Sequence, residues 1–370
     1  MTTKNRVYLT SSTSLSCAGE SNKELFDNIV NGVTGISQDM DYFPDATPAI
    51  GKFIQTYDFH KALVSQCQHI LDLRQLEDFR DTLLIVGSSV GGMAATEKSF
   101  FKNKNYTKVD PNFHNIHTIA HVLKAHFDFY DDISFSTACT SSANAIGYAY
   151  EVLSKGLYKR ALVVGADALT HTTIGGFLSL GVLSSAPCKP FDLSRDGMNV
   201  AEAIACLLIE SEPQQNCVEI KGVGYSSDAY HMTHPHPEGL GALAAMSSAL
   251  QSAHLEAKDI DYINAHGTGT TANDNAEANA IASLFGEHTP VSSTKAITGH
   301  TLGAAGALEA IISSLVLTEG SLPQNTFLDK AENTDISLLK KSKIRSVSYV
   351  LSNSFAFGGN NCSLIFGVVK

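Results

Sequence analysis

Residues 133–153 read ISFSTACTSSANAIGYAYEVL. A short apolar run, Ile133–Ser136, passes into the small residues Thr137, Ala138 and Cys139, the pattern of a buried strand closed by a tight turn. The following stretch, Ser141–Leu153, is rich in Ala and aliphatic residues and nearly apolar all round. A helix of that kind lies in the middle of a fold, covered on more than one side. The same reading applies to Leu83–Val86 before Gly87-Ser88-Ser89, to Ala161–Val164 before Gly165, and to Tyr262–Ala265 before His266-Gly267-Thr268. Strands alternating with helices give an α/β architecture.

The unit recurs. Ser136-Thr137-Ala138-Cys139 is echoed 157 residues later by Ser293-Thr294-Lys295-Ala296, ahead of a second apolar helical stretch, Leu302–Leu317. Gly156 and Gly320 stop the two helices. Each unit is preceded by a strand and a turn of small polar residues, so duplication of one α/β unit is the economical account. The junction is expected at Glu212-Pro213-Gln214-Gln215-Asn216, which divides the chain into residues 1–213, carrying Cys139, and 214–370, carrying His266, Lys295 and His300.

Composition narrows the function classes. The chain has 370 residues, 44% hydrophobic and 17% charged, enough for a sizeable core and too apolar for global disorder. The formal net charge of −11 argues against broad nucleic-acid binding, which needs a cationic face. Seven cysteines, an odd number without CxxC spacing, disfavour a disulfide framework or a zinc-thiolate site and point to a reducing compartment. The N-terminal MTTKNRVYLTSST has no apolar signal core, and no uninterrupted apolar run approaches the ~18 residues of a membrane span. The expectation is a cytoplasmic protein.

Several side chains stand out. Cys139 sits at the first turn of an apolar helix, where unpaired N–H groups and the helix dipole favour a thiolate; an ordinary buried cysteine is the other reading. His266 and His300 each lie between small residues at a strand or turn end, placed to face a cavity. Glu309 falls inside a strongly apolar helix, where an unpaired carboxylate is costly, and Lys295 is its expected partner. Asn353–Asn360, with Phe355 and Phe357 followed by Gly358-Gly359, suits a mobile loop with a hydrophobic plug after a strand at Val347–Leu351. His231, His234 and His236 have prolines interleaved and no supporting Cys or Asp cluster, so no metal site is expected.

Together these segments resemble the β-ketoacyl-acyl carrier protein synthases, the Cys-His-His condensing enzymes of the thiolase superfamily. The resemblance is carried by Ser136–Ser142, Pro190–Gly197, Asp228–Thr233, Ala265–Thr270, Ser293–His300 with Gly303–Ala307, and Asn353–Gly359. It implies a thiolase-like duplicated five-layer αβαβα fold with two mixed sheets. It implies an acyltransferase that condenses an acyl group on Cys139 with malonyl-acyl carrier protein, releasing carbon dioxide, in fatty acid, polyketide or polyene biosynthesis. His266 and His300 would promote decarboxylation, and Lys295, paired with Glu309, would support the second of them. The N–H groups of Cys139 and Phe357 would form the oxyanion hole, with Phe357 as gate. Thr268, Thr270 and Phe355 would contact substrate. No resident cofactor is implied, since phosphopantetheine arrives on the carrier. The implied partners are that carrier and a second condensing subunit, in a homodimer or heterodimer. A non-decarboxylative thiolase or acyltransferase stays open, as does a partner subunit that shapes chain length, although such a subunit would lack the nucleophile.

The chain also departs from the family pattern. A basic docking helix is missing before Phe53, leaving Lys52, with Lys102, Lys104 and Lys108 as the other candidate docking cations. Val90 and Met198 stand where relatives carry bulkier residues, so both are expected to line the acyl pocket.

Overall fold

The computed structural model describes residues 5–55 and 58–369; Met1–Lys4 of the N-terminal stretch read above lie outside them. The strands that build the fold are β1 (Tyr8–Ser16), β2 (Leu83–Gly87), β3 (Asp132–Phe135), β4 (Arg160–Asp167), β5 (Ala203–Glu210), β6 (Val218–Ser227), β7 (Tyr262–Asn264), β8 (Pro290–Ser292), β9 (Tyr349–Phe355) and β10 (Asn360–Val368). The helices that cover them are α1 (Phe59–Arg74), α2 (Thr118–Lys124), α3 (Ser141–Ser154), α4 (His171–Ser179), α5 (Leu240–Ala253), α6 (Thr271–Phe285) and α7 (Ala305–Glu319).

The strand order proves the repeat. The first half runs β3-β2-β4-β5-β1 and the second β8-β7-β9-β10-β6, the same order shifted by five labels. In both, the first three strands are parallel and the last two pairings antiparallel. A short strand at Ser337–Leu338 extends the second half beside β8. The two mixed sheets meet where Tyr8 and Leu9 pair with Glu219 and Val218, so their hydrogen bonding is continuous over eleven strands.

Side-chain alternation explains the layers. Along β4, Ala161 and Val163 face the central core, while Leu162, Val164 and Ala166 face the outer core under α1 and α2. In β5, Ala203, Ala205, Leu207 and Ile209 point inward and Ile204, Cys206 and Leu208 outward. In the second half, Val350, Leu364 and Phe366 face the centre, and Leu351 and Ile365 face α5 and α6. Both sheets are therefore covered on both faces, which is why their strands read as continuous apolar runs.

The central layer is α3 and α7, the two helices read as apolar all round. Gly306 lets them touch: a Cβ there would stand 2.6 Å from the Ala143 nitrogen. Leu302–Glu319 is long and apolar enough to cross a membrane, but 78% of it is buried between the sheets, so burial in the core accounts for its composition.

Candidate active site

Two equivalent crossovers deliver the reactive groups to one cavity. After β3 the chain bends through Ala138, held at a φ of 54° that a residue with a Cβ seldom adopts. The Ser89 and Ser141 hydroxyls donate to the Ala138 carbonyl at 2.9 and 2.7 Å, fixing the bend that presents Cys139. In the second half, β7 and β8 are parallel neighbours, with Asn264 opposite Ser292. Their C-terminal turns therefore leave the sheet side by side, carrying His266 and Lys295.

The geometry is specific. His300 Nε2 lies 3.0 Å from Cys139 Sγ, and the His266 and His300 rings are 5.3 Å apart at 88°. The Leu302 N–H donates to His300 Nδ1 at 3.3 Å, so the ring proton sits on Nε2, facing the sulfur. Lys295 Nζ donates to Glu309 and to the His266 carbonyl at 2.5 Å, and it stands 3.4 Å from His266 Nδ1. The ammonium nitrogen is donor only, so His266 Nδ1 accepts and its Nε2 also carries the proton. The expected ion pair is thus present, but Lys295 supports the first histidine, not the second. The reason is the parallel register of β7 and β8. His300 lies beyond the helical turn Lys295–Thr298, clamped by its own backbone to Asn199 and Ala201 of the first half.

Burial governs the charges. It pushes the Cys139 thiol up to about 11, against the opposing pull of the Lys295 charge and the backbone N–H groups of Phe357 and Cys139. The lowered thiol pKa expected from the helix start is therefore not found: desolvation outweighs the dipole. Burial, then the Lys295 charge, lowers His300 to about 3, and the same causes with His300 hold His266 well below the ordinary histidine value. The site pairs a neutral thiol with two neutral imidazoles, each presenting an N–H.

These groups line a cavity of about 690 Å³, counting its open mouth, together with Met198, Thr268, Thr270, Phe355 and Phe357. That size suits a small-molecule arm. The Thr268 and Thr270 hydroxyls are 2.9 Å apart on its wall. Phe357 packs on Phe177 of α4 with ring centres 6.1 Å apart. Strand β9 runs on to Phe355, so the loop expected over Asn353–Asn360 is only Ala356–Gly359. Val90 does not line the cavity; it is buried behind it in a cluster with Met198, Leu169, Ile174 and Leu302. Of the docking lysines, Lys52 is bound to Asp39 and Asp41, so its charge is neutralised within the chain. Lys102, Lys104 and Lys108 are exposed, and none of the four borders the cavity. His231 and His234 border its mouth.

Sequence reasoning missed the braces behind these residues. Glu277 of α6 accepts the N–H groups of His266 and Gly267 at 2.8 and 2.7 Å, and burial raises its carboxyl to about 7. Asp167, at the end of β4, accepts from Ser88, Ser89, Val90 and, across the repeats, Gly303 at 2.6 Å. The signal that exposed Glu309, a carboxylate in an apolar stretch, was present for Asp167, which ends the run Ala161–Ala166, but not for Glu277, whose neighbours include Asn273, Asp274, Asn275 and Asn279.

Comparison with known proteins gives consistent matches. Residues 60–215 match the family described as β-ketoacyl synthase, N-terminal domain, and residues 217–329 match β-ketoacyl synthase, C-terminal domain. A 3-oxoacyl-acyl-carrier-protein synthase 2 of Coxiella burnetii is 36% identical over 308 residues, covering 77% of this chain and 74% of that protein. One from Staphylococcus aureus is 38% identical over 247 residues, covering 62% of this chain and 61% of its own length. Among solved structures, the complex of a ketosynthase, ApeO, with its chain length factor, ApeC, from Xenorhabdus doucetiae superposes with a TM-score of 0.88 at 34% identity, covering 99% of this chain and 98% of that one.

Proposed function

This chain belongs to the β-ketoacyl synthase family, and we propose that it extends a carrier-bound acyl chain by two carbons through decarboxylative Claisen condensation. One observation carries the reading: a single thiol and two imidazole N–H groups converge in one buried cavity. A second thiol would be expected in a thiolase. Cys362 is fully buried in β10 and does not line the cavity.

The chemistry follows from the groups present. Cys139 sulfur attacks the acyl thioester carbonyl; the carbon–sulfur bond to pantetheine breaks, and the thiol proton ends on the departing pantetheine sulfur. The N–H groups of Cys139 and Phe357 hold the oxyanion. A malonyl thioester then enters. Its carboxylate bond breaks, carbon dioxide leaves, and the electron pair becomes an enolate whose oxygen accepts from the Nε2–H of His266 and His300. Such donors contribute on the order of 3 kcal/mol each. The enolate carbon attacks the acyl-Cys139 carbonyl, the carbon–sulfur bond breaks, and the released thiolate takes a proton from solvent. Neutral imidazoles suit this task, because the enolate needs donors and no strong base.

The partners in this reading are an acyl carrier protein and a second condensing subunit. Among the described residues β3 has no strand partner on its outer side, and the exposed Tyr130 lies two residues before it, which supports subunit pairing there. Seven unpaired cysteines fit a reducing cytoplasm.

The test is incubation of purified protein with acyl-carrier and carbon-labelled malonyl-carrier, followed by mass spectrometry. The expected result is an acyl adduct on Cys139 and one carbon dioxide per β-ketoacyl product. Carbon–carbon bond formation without carbon dioxide, or acyl transfer alone, would overturn the reading.

A further inference from the structure

The turn Ala356–Gly359 carries the Phe357 N–H that faces Cys139. It is closed by the Ala356 N–H donating to the Asn360 carbonyl at 2.9 Å and the Gly359 N–H donating to the Ala356 carbonyl at 3.0 Å. Gly358 and Gly359 stand at φ 85° and 77°, the left-handed region, and neither adds a side chain that packs the turn in place. Contacts outside the turn must fix it.

One flank is held by backbone. The Gly358 N–H donates to the Met232 carbonyl at 2.8 Å, and the Asp228 N–H to the Gly359 carbonyl at 2.7 Å. On the other flank Asn360 opens β10, paired with Ser227 of β6, and its side chain adds a tie to the first repeat. Asn360 Oδ1 lies 2.7 Å from the Thr140 hydroxyl and 2.8 Å from the Asn144 amide nitrogen, and accepts from both. Thr140 and Asn144 are buried and lie one and five residues beyond Cys139, at the start of α3. One amide oxygen thus ties the turn of the second repeat to the nucleophile helix of the first.

We infer that Asn360 is a positioning residue: its amide latches the Phe357 N–H against the Cys139 sulfur and so sets the width of the oxyanion site. The inference rests on the condensing-enzyme reading above. An oxyanion donor is effective only within about 2.7–3.1 Å, and an error of about 1 Å costs about a hundredfold in rate. Without the latch the turn keeps its backbone bonds, the Asn361 amide on the Gly359 carbonyl and the packing of Phe357 on Phe177, but it loses its tie to the helix that presents Cys139, and the Phe357 N–H is no longer held in register with the sulfur.

The test compares wild type with Asn360→Leu, which removes the acceptor at similar volume. Condensation kcat should fall about 100-fold, with KM for the malonyl carrier within about threefold. The pH midpoint for alkylation of Cys139 by iodoacetamide should move up, because a thiolate-stabilising N–H is displaced. Thr140→Val removes a donor from the opposite side, and in the double variant the two losses should not add. If Asn360→Leu fails to fold, Thr140→Val and Asn144→Leu carry the same test with Asn360 intact. An unchanged kcat and alkylation profile, or fully additive losses, would overturn the latch. Alkylation needs no carrier substrate, so the two ideas separate. A shifted profile in a protein that does not condense keeps the latch and removes the function, and an unshifted profile in one that condenses does the reverse.

Discussion

His300 Nε2 lies 3.0 Å from Cys139 Sγ, although 161 residues separate the two and each belongs to a different repeat. The pair is neutral: burial raises the thiol to about 11 and lowers the imidazole to about 3. A thiolate–imidazolium pair would react with alkylating agents at a rate nearly constant across neutral pH. A neutral pair behaves differently. Alkylation of Cys139 by iodoacetamide should rise about tenfold per pH unit from pH 7 to 10, the slope of a thiol still titrating. Mass spectrometry of the modified peptide checks it, and a plateau between pH 6 and 8 would contradict the neutral pair.

The two histidines should separate the half-reactions. His266→Ala and His300→Ala each remove one enolate donor and leave the sulfur and its oxyanion N–H groups in place. Acylation of Cys139 should persist, while carbon dioxide release from malonyl-carrier falls about 100-fold in either variant. Radiolabelled malonyl turnover measured beside acyl-adduct formation distinguishes this from a general loss of structure, which would abolish both.

Lys295 is bound to Glu309 and to the first histidine inside the core. Lys295→Met leaves the Glu309 carboxylate buried and alone, which costs about 3–5 kcal/mol. Pairing it with Glu309→Leu should restore much of the lost thermal stability and none of the decarboxylation, because His266 Nδ1 still lacks its donor. Calorimetry and carbon dioxide assays on both variants check the split. Recovery of decarboxylation in the double variant would show that the ion pair acts only as structure.

Buried neutral imidazoles shape acid stability. The folded protein keeps His300 unprotonated down to about pH 3, whereas the unfolded chain takes a proton near the ordinary value of 6.5. Between those values the unfolded state binds more protons, so stability falls as pH drops below 6.5. At pH 5 one such histidine accounts for about 2 kcal/mol. His300→Leu should therefore narrow the Tm difference between pH 7 and pH 5 and leave the pH 7 to 8 difference unchanged. Asp167, raised to about 6, and Glu277, raised to about 7, act with the opposite sign from about pH 4 upward and are common to both proteins.

Met198 lines the cavity and packs into the cluster that holds Val90, so under the proposed function it stands where it would bound the acyl chain. Met198→Ala should open the cavity toward that cluster and admit acyl chains longer by at least one two-carbon unit, at a stability cost of about 2–5 kcal/mol. Val90→Phe overfills the same cluster and should shorten the accepted chain. Mass spectrometry of carrier-bound products gives both profiles, and an unchanged profile in Met198→Ala would place the chain elsewhere.

Local pattern was enough for the architecture. Apolar runs ending in small residues, two helices without a polar face and the recurrence at Ser293 were sufficient to place strands, central layer and duplication, because burial on both sides removes polar residues from a segment wherever it lies in the chain. The reactive residues were legible for the same reason: Cys139, His266, His300 and Glu309 are polar or reactive groups in otherwise apolar or small-residue surroundings. Only the tertiary structure decided which histidine Lys295 serves, that the resting thiol is neutral, that Val90 stands behind the cavity wall, and that Asp167, Glu277 and Asn360 brace the site. Those answers depend on strand register, depth of burial and contacts between segments more than a hundred residues apart. Distance and desolvation are set by packing, and no local run of residues encodes them.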